Sequence, residues 1–106
     1  MCGVAAIFSN DKNLENQVSK VIKRIFHRGP DDSGFYKNNN LSLGSCRLSI
    51  FDLSSNAKMP MTDSSGRYVV VYNGEIYNFP EIKKKFNIQT KTNTDTEILL
   101  EMYVKK

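Results

Sequence analysis

The chain has 106 residues, of which 40% are hydrophobic and 25% are charged, and its formal net charge at pH 7 is +4. This length and composition predict one globular domain and exclude a disordered chain or a fibrous repeat. The lysines come in short groups, such as residues 83–85 and 105–106, beside acids and without interleaved aromatic residues, so we interpret them as solvated faces and expect no nucleic-acid partner.

The chain opens with a predicted strand and a predicted helix. Residues 2–8 form an apolar, partly β-branched run that ends in turn-forming residues, which is typical of a buried strand. Apolar residues then recur at helical spacing from Leu14 to Phe26 with polar residues between them, until Gly29-Pro30 stops the pattern. We therefore expect one amphipathic helix packed on a sheet.

The middle of the chain predicts further strands. Residues 34–36 and 41–43 flank an asparagine-rich turn and predict a hairpin, and the alternating residues 46–51 continue the sheet. Residues 59–65 have the composition of a loop that ends in a turn, and the β-rich residues 67–72 follow it. The middle segment is therefore predicted to be mostly sheet.

The last third of the chain predicts two helices. Residues 79–86 form a short basic helix with a proline in its first turn, where a missing N–H costs least. Residues 94–97, Thr-Asp-Thr-Glu, open the final helix as a capping box, and apolar residues follow at helical spacing. Together with the strands, these helices predict an α+β domain.

The chain carries no membrane or metal signal. Its apolar runs are too short to cross a bilayer, and the amino terminus lacks the basic region and cleavage site of a signal peptide, so we expect a cytoplasmic protein with no membrane partner. Cys2 and Cys46 match no zinc spacing, and His27 is the single histidine, so no metal site is predicted. A reducing cytoplasm also disfavours a disulfide between the two cysteines.

The cysteine in second position becomes the amino-terminal residue once the initiator methionine is removed. An α-amino group titrates near ~7.7–8.0, so part of it is neutral at pH 7 and can accept the proton of a thiol on the same residue. Cys2 could therefore be nucleophile and base without a catalytic histidine. The alternative for Cys2 alone is a small buried apolar residue.

Three polar segments call for more than a packing explanation. Residues 27–34 form a dense charged turn, in which His27 by itself suits a capping role at a helix end. Arg47 interrupts an apolar strand, and residues 72–78, Tyr-Asn-Gly-Glu-Ile-Tyr-Asn, place an amide, a glycine and a carboxylate at a strand end. For Asn73-Gly74 alone, an ordinary hairpin turn is the simpler interpretation.

With Cys2, these segments resemble the class II glutamine amidotransferase domain, an N-terminal-nucleophile hydrolase, and within that group the asparagine synthetase branch. The matching segments run in the family's order and cover nearly the whole chain: residues 1–4, 27–34, 47–50, 52–54, 72–78 and 94–97. The resemblance implies an α+β fold of the αββα sandwich type. Residues 1–106 would be its amino-terminal portion, incomplete and without the synthetase domain.

The resemblance also implies a catalytic set. Cys2 would attack the side-chain amide of glutamine, and its own α-amine would be the base. The side chain of Asn73 and the backbone N–H of Gly74 would form the oxyanion hole, in which such donors are typically worth ~3–4 kcal/mol each. The implied reaction releases ammonia and glutamate.

The implied glutamine site pairs each charge of the zwitterion with an opposite charge. Arg47 would bind the α-carboxylate through two parallel hydrogen bonds. Glu75 and Asp95 would hold the α-ammonium, although for Asp95 alone the preferred interpretation is a first-turn residue that complements the helix dipole. The same pocket would be lined by the backbone of Leu48, Ser49, Ile50 and Phe51.

Two departures from the family qualify these expectations. Ser45-Cys46 stands where the family commonly has a histidine and then a basic residue, and the family's domain continues well beyond 106 residues. No cofactor is implied for this chain, since ATP and magnesium would belong to the missing synthetase domain, and no glycine-rich phosphate loop occurs here. An incomplete sandwich would expose apolar sheet faces, so we expect the chain to self-associate or to pair with the missing segments of the domain.

Three functions therefore stay open at this point. The first is the glutaminase part of an asparagine synthetase, in which the ammonia amidates aspartate to asparagine. The second is a glutamine-binding or interaction module without turnover. The third is a glutaminase that supplies ammonia to another acceptor, such as a sugar phosphate.

Overall fold

The computed structural model describes residues 2–48 and 57–106 as a mixture of short strands and helices. A 3₁₀ turn, Phe26–Arg28, follows the first helix. The predicted α+β class is confirmed. The elements in chain order are β1 (Gly3–Phe8), α1 (Leu14–Arg24), β2 (Asp32–Asn38), β3 (Leu41–Arg47), β4 (Met61–Thr62), β5 (Val69–Val70), α2 (Phe79–Lys85) and α3 (Asp95–Val104).

The main sheet is antiparallel and has the order β1-β3-β2. In this register Gly3 pairs with Cys46, and Phe8 pairs with Leu41. The predicted hairpin is confirmed and is longer than expected, since β2 and β3 pair along their whole lengths. Its turn contains Asn39 at φ 49°, a left-handed conformation that asparagine tolerates better than most residues.

The helix α1 covers one face of this sheet. Its residues Leu14, Val18 and Ile22 are buried, as the four-residue spacing of a core-facing stripe requires. A Cβ added at Gly44 would lie 2.8 Å from Ile22 Cγ1, so the helix packs directly on the glycine. The helix ends at Arg24, so the prediction that it includes Phe26 was wrong; Phe26 lies in the 3₁₀ turn and is exposed.

The opposite face of the sheet is covered at one end only. There the carbonyl of Met59 accepts a hydrogen bond from Ser45 Oγ at 2.7 Å and abuts Gly34. At the other end Phe8 remains 75% exposed, next to the half-buried Leu41. This face therefore presents apolar side chains that the described residues leave uncovered.

The second half of the chain differs from its predicted strands. Residues 59–65 are not all loop, because Met61–Thr62 pairs with Val69–Val70 as a short hairpin. The predicted strand 67–72 was too long, since β5 ends at Val70. Beyond it the N–H of Tyr72 meets Met59 Sδ at 3.3 Å, so no regular strand ladder continues.

The turn between β4 and β5 was predicted and is confirmed. Asp63 organises it by accepting hydrogen bonds from the N–H groups of Ser65 at 3.1 Å and Tyr68 at 2.7 Å. Gly66 adopts φ 74°, a conformation that side chains with a Cβ rarely take. The Asp63 carboxylate thus closes this end of the small hairpin, where the Asp63 N–H also donates to the Tyr68 carbonyl oxygen at 3.0 Å.

Both predicted carboxy-terminal helices are present and share a second core. Its centre is Phe79 of α2 with Ile88 and Ile98, all almost fully buried. As predicted, Thr94 caps α3, because its side chain accepts the N–H of Glu97. Within the two described ranges, no helix has the length and hydropathy needed to span a membrane.

Candidate active site

A cavity lies where the ends of β1 and β3 meet the start of α3. It encloses about 400 Å³ of empty space, counting the part that opens to solvent. Five separate segments of the chain contribute to its wall. The lining residues are Cys2, Arg47, Leu48, Ala57, Met59, Tyr72, Gly74, Glu75, Thr94, Asp95 and Thr96.

Cys2 enters the cavity from the residue before β1. Its backbone is held by Arg28, whose Nε donates to the Cys2 carbonyl oxygen at 3.1 Å. The Sγ atom lies 3.9 Å from the carbonyl oxygen of Leu48, a weak donor contact. The thiol is half-buried, so it is both positioned by the protein and reachable from the cavity.

Arg47 reaches the cavity from the last residue of β3. The strand end is fixed there, because Arg47 pairs with Asp32 of β2 and its carbonyl oxygen accepts the N–H of Asp31 at 3.1 Å. On the other side of β3, the preceding residue Cys46 pairs with Gly3 of β1. Gly29 packs against the same backbone, and a Cβ on it would lie 2.5 Å from the Arg47 nitrogen. Arg47 is 6% exposed, so its guanidinium is held in a largely dry environment.

Tyr72, Gly74 and Glu75 form the wall that follows β5. The phenol of Tyr72 lies against the Cα of Gly74, since an added Cβ there would be 2.5 Å from Tyr72 Oη. Downstream, the N–H of Ile76 donates to Asp95 Oδ2 at 2.9 Å and ties this segment to α3. The loop therefore has a fixed position relative to the helix start.

A buried carboxylate supports the start of α3. Glu97 is 8% exposed and accepts the N–H of Lys91 at 2.9 Å and of Thr92 at 2.7 Å, together with the Thr92 hydroxyl. These bonds fold residues 91–94 back over the first turn of the helix. Asp95, itself 5% exposed, is thereby directed into the cavity.

The cavity combines one positive group with two negative ones. Arg47 supplies the cation, and Glu75 and Asp95 supply the anions. Burial raises the pKa of the Tyr72 hydroxyl above its ordinary value, and the negative charges of Asp95 and Glu75 raise it further. The phenol therefore stays protonated at neutral pH.

The structure brings most of the sequence-predicted site residues into this one cavity: Cys2, Arg47, Leu48, Gly74, Glu75 and Asp95. Asn73 is exposed and is not part of the lining, so its expected role in an oxyanion hole stays a prediction. Ser49, Ile50 and Phe51 lie outside the described residues. The predicted residues that meet in the cavity are separated by up to 93 positions in sequence, from Cys2 to Asp95, so only folding brings them together.

Five lining residues were not predicted from the sequence to belong to the site. Tyr72 directly precedes Asn73-Gly74, so its place in that motif was an available signal, and Thr94 and Thr96 flank Asp95 in the same way. Ala57 and Met59 had no such signal, because their contribution depends on how their segment crosses the sheet. No group of three potential metal ligands occurs within residues 2–48 and 57–106.

Comparison with known proteins agrees with the family resemblance of the sequence motifs. A family model described as a glutamine amidotransferase domain matches residues 1–106. The protein named "Putative asparagine synthetase (glutamine-hydrolyzing) 2" of Methanocaldococcus jannaschii is 41% identical over 99% of this chain. Glutamine-hydrolyzing asparagine synthetases 1 of Bacillus subtilis and Arabidopsis thaliana are 32% and 36% identical, each over 97% of the chain.

These relatives are much longer than the sequence described here. The chain spans 24% of the Methanocaldococcus protein, 17% of the Bacillus protein and 18% of the Arabidopsis protein. The family model nevertheless covers every residue. The chain belongs to the glutamine amidotransferase domain family.

Proposed function

We propose that this chain hydrolyses the side-chain amide of glutamine, with Cys2 as the nucleophile. The observation that carries the proposal is the convergence of a half-buried thiol, one buried cation and two carboxylates on one cavity. A free amino acid with an amide side chain presents the matching set: a carboxylate, an ammonium and a carbonyl to attack. A site of this composition favours glutamine over a neutral amide.

The first step is acylation. Cys2 Sγ attacks the amide carbon while its proton moves to the α-amine of the same residue, which requires that Met1 has been removed. The C–N bond then breaks, the proton passes to the leaving nitrogen, and ammonia departs. The γ-glutamyl group remains on Sγ as a thioester.

The second step is hydrolysis of the thioester. Water attacks the acyl carbon, gives a proton to the α-amine, and the C–S bond breaks to release glutamate and restore the thiol. Both steps pass through a tetrahedral oxyanion. We assign its stabilisation to the backbone N–H of Gly74 and the side-chain amide of Asn73, and each such donor is typically worth ~3–4 kcal/mol in the transition state.

The binding of the zwitterion follows from the charges that line the cavity. Arg47 would meet the α-carboxylate, since a guanidinium can bind it through two parallel hydrogen bonds. Glu75 and Asp95 would meet the α-ammonium. The backbone of Leu48, Ser49, Ile50 and Phe51 would complete the pocket beside Arg47.

In the longer protein, we propose that the ammonia amidates aspartate to asparagine. The proposal is supported by the names of the relatives, which are glutamine-hydrolyzing asparagine synthetases. ATP and magnesium would act outside these 106 residues. We further propose that the three-stranded sheet is one layer of an N-terminal-nucleophile sandwich, in which the apolar face around Phe8 packs on a second sheet.

The test is glutamine-dependent ammonia release by the intact protein after its mass has shown that Met1 is absent. Cys2→Ala should abolish the release but retain glutamine binding in calorimetry. Cys46→Ala is the matched control, because Cys46 is fully buried in β3 and lies outside the cavity lining. Ammonia release that survives Cys2→Ala, or that persists with Met1 retained, would refute the mechanism.

A further inference from the structure

The hydroxyl of Tyr72 has no hydrogen-bond partner among the residues that the structure describes, although the residue lines the cavity. The backbone N–H of Tyr72 is engaged instead, with Met59 Sδ. The phenol lies over the Cα of Gly74, and its neighbours in the wall are Glu75 and Asp95. A donor and acceptor group is thus available inside the site.

The proposed ammonium ligands leave room for a third acceptor. An ammonium group has three N–H donors, and each is best satisfied by a separate oxygen. One oxygen of Asp95 already accepts the N–H of Ile76 at 2.9 Å, which leaves Asp95 with reduced capacity. When each of the two carboxylates meets one N–H of the ammonium, a neutral oxygen can satisfy the third N–H without adding a third negative charge.

We propose that Tyr72 is a specificity residue, whose hydroxyl oxygen accepts a hydrogen bond from the α-ammonium of glutamine between Glu75 and Asp95. This inference rests on the proposed function. The phenol can accept from the ammonium and donate its own proton to a neighbouring carboxylate, so the three oxygens form one hydrogen-bonded set. The raised pKa of Tyr72 agrees with this role, because the hydroxyl keeps its proton beside two carboxylates.

A packing role for the ring makes a different prediction. If Tyr72 only supports the Cα of Gly74, phenylalanine would serve equally well, since it retains the ring and removes one oxygen. If the hydroxyl instead assists at the amide end of the substrate, its loss would affect every ligand that carries the amide. The substrate's own α-ammonium therefore distinguishes the three roles.

The test compares two ligands by calorimetry, with Cys2→Ala throughout to prevent turnover. One ligand is glutamine, and the other is glutaramate, which keeps the amide and the carboxylate but lacks the α-ammonium. Adding Tyr72→Phe should raise the Kd of glutamine about tenfold or more, the loss typical of a hydrogen bond to a charged group. The Kd of glutaramate should stay within about twofold, and thermal unfolding should match the parent variant.

Tyr77→Phe is the matched control, because Tyr77 lies on the same segment but is 82% exposed and outside the cavity lining. It should change neither Kd. An unchanged Kd for glutamine in Tyr72→Phe, or equal losses for both ligands, would overturn the assignment of Tyr72. A parent protein that binds no glutamine would instead refute the proposed function on which the assignment rests.

Discussion

Replacing Gly29 with alanine should damage both the stability and the glutamine site of this protein. Gly29 has φ −155°, which any residue can adopt, so the requirement for glycine is one of space. An added Cβ would lie 2.5 Å from the nitrogen and 2.7 Å from the carbonyl carbon of Arg47, and 2.6 Å from the carbonyl carbon of Cys46. These are backbone atoms of a strand paired on both sides, so they cannot move aside cheaply.

The magnitude follows from two losses. Overpacking a filled site typically costs ~1–3 kcal/mol. Moving Gly29 away from β3 would also strain the 3.1 Å hydrogen bond from the Asp31 N–H to the Arg47 carbonyl, worth ~0.5–1.5 kcal/mol. Gly29→Ala should therefore lower the free energy of unfolding by roughly 2–4 kcal/mol, and Tm by roughly 10–20 °C for a domain of this size.

The assay is thermal and urea unfolding together with the Kd of glutamine for a Cys2→Ala background. Gly66→Ala is the comparison, because nothing lies within 4 Å of its added Cβ and only its φ of 74° is unfavourable, a cost of ~1–2 kcal/mol. It should leave the Kd of glutamine unchanged, whereas Gly29→Ala should raise it by displacing Arg47. A Gly29→Ala protein with unaltered stability would refute the reasoning from close packing.

Three further predictions concern the residues around the cavity and the small hairpin. Glu97→Gln should lower the free energy of unfolding in urea by ~1.5–3 kcal/mol. The buried carboxylate accepts two backbone N–H groups, and in the amide an NH₂ donor would face one of them. Equal stability of the two proteins would contradict this. Arg47→Lys should keep the positive charge but lose the two parallel hydrogen bonds to the α-carboxylate. It should weaken glutamine binding by about 2 kcal/mol, which calorimetry would record as a roughly thirtyfold rise in Kd. An unaltered Kd would show that Arg47 does not bind the carboxylate. Hydrogen bonds from Ser65 and Tyr68 lower the pKa of Asp63 below its ordinary value of 3.8, so its contribution to stability is complete above that pH and declines as pH falls through the lowered pKa. Asp63→Asn should therefore lose stability at pH 7, and its deficit against the parent should shrink on acidification; a deficit that is constant with pH would show that Asp63 does not titrate in this way.

Local patterns were sufficient for most of the helices and for the main hairpin. The spacing of Leu14, Val18 and Ile22 predicts a helix because a stripe of this period can bury itself only as a helix. The Thr94 cap was readable because capping is a contact between residues three positions apart. The end of α1 was missed, since Ile25 and Phe26 keep the apolar spacing while the chain leaves the helix to bring Gly29 onto β3.

The short strands were misjudged for a related reason. Residues 67–72 have strong β propensity, but a strand exists only where a partner offers a ladder, and Met61–Thr62 provides only two residues. The composition of residues 59–65 gave no indication of that pairing. The β propensity of a segment depends on its own residues, whereas the length of the strand that pairs with it depends on the tertiary structure.

The sequence by itself determined which chemical groups are available: an amino-terminal thiol, a strand-borne guanidinium, and carboxylates beside a glycine turn and at a helix start. Only the tertiary structure decided which of them meet. Cys2 and Asp95 share a cavity because the β1–β3 register, the contact of Gly29 with β3 and the Ile76–Asp95 hydrogen bond act across long sequence separations. The tertiary structure also places Tyr72 in the cavity wall. The motif around Tyr72 does not show where its phenol points, because that direction depends on the residues that pack against the ring.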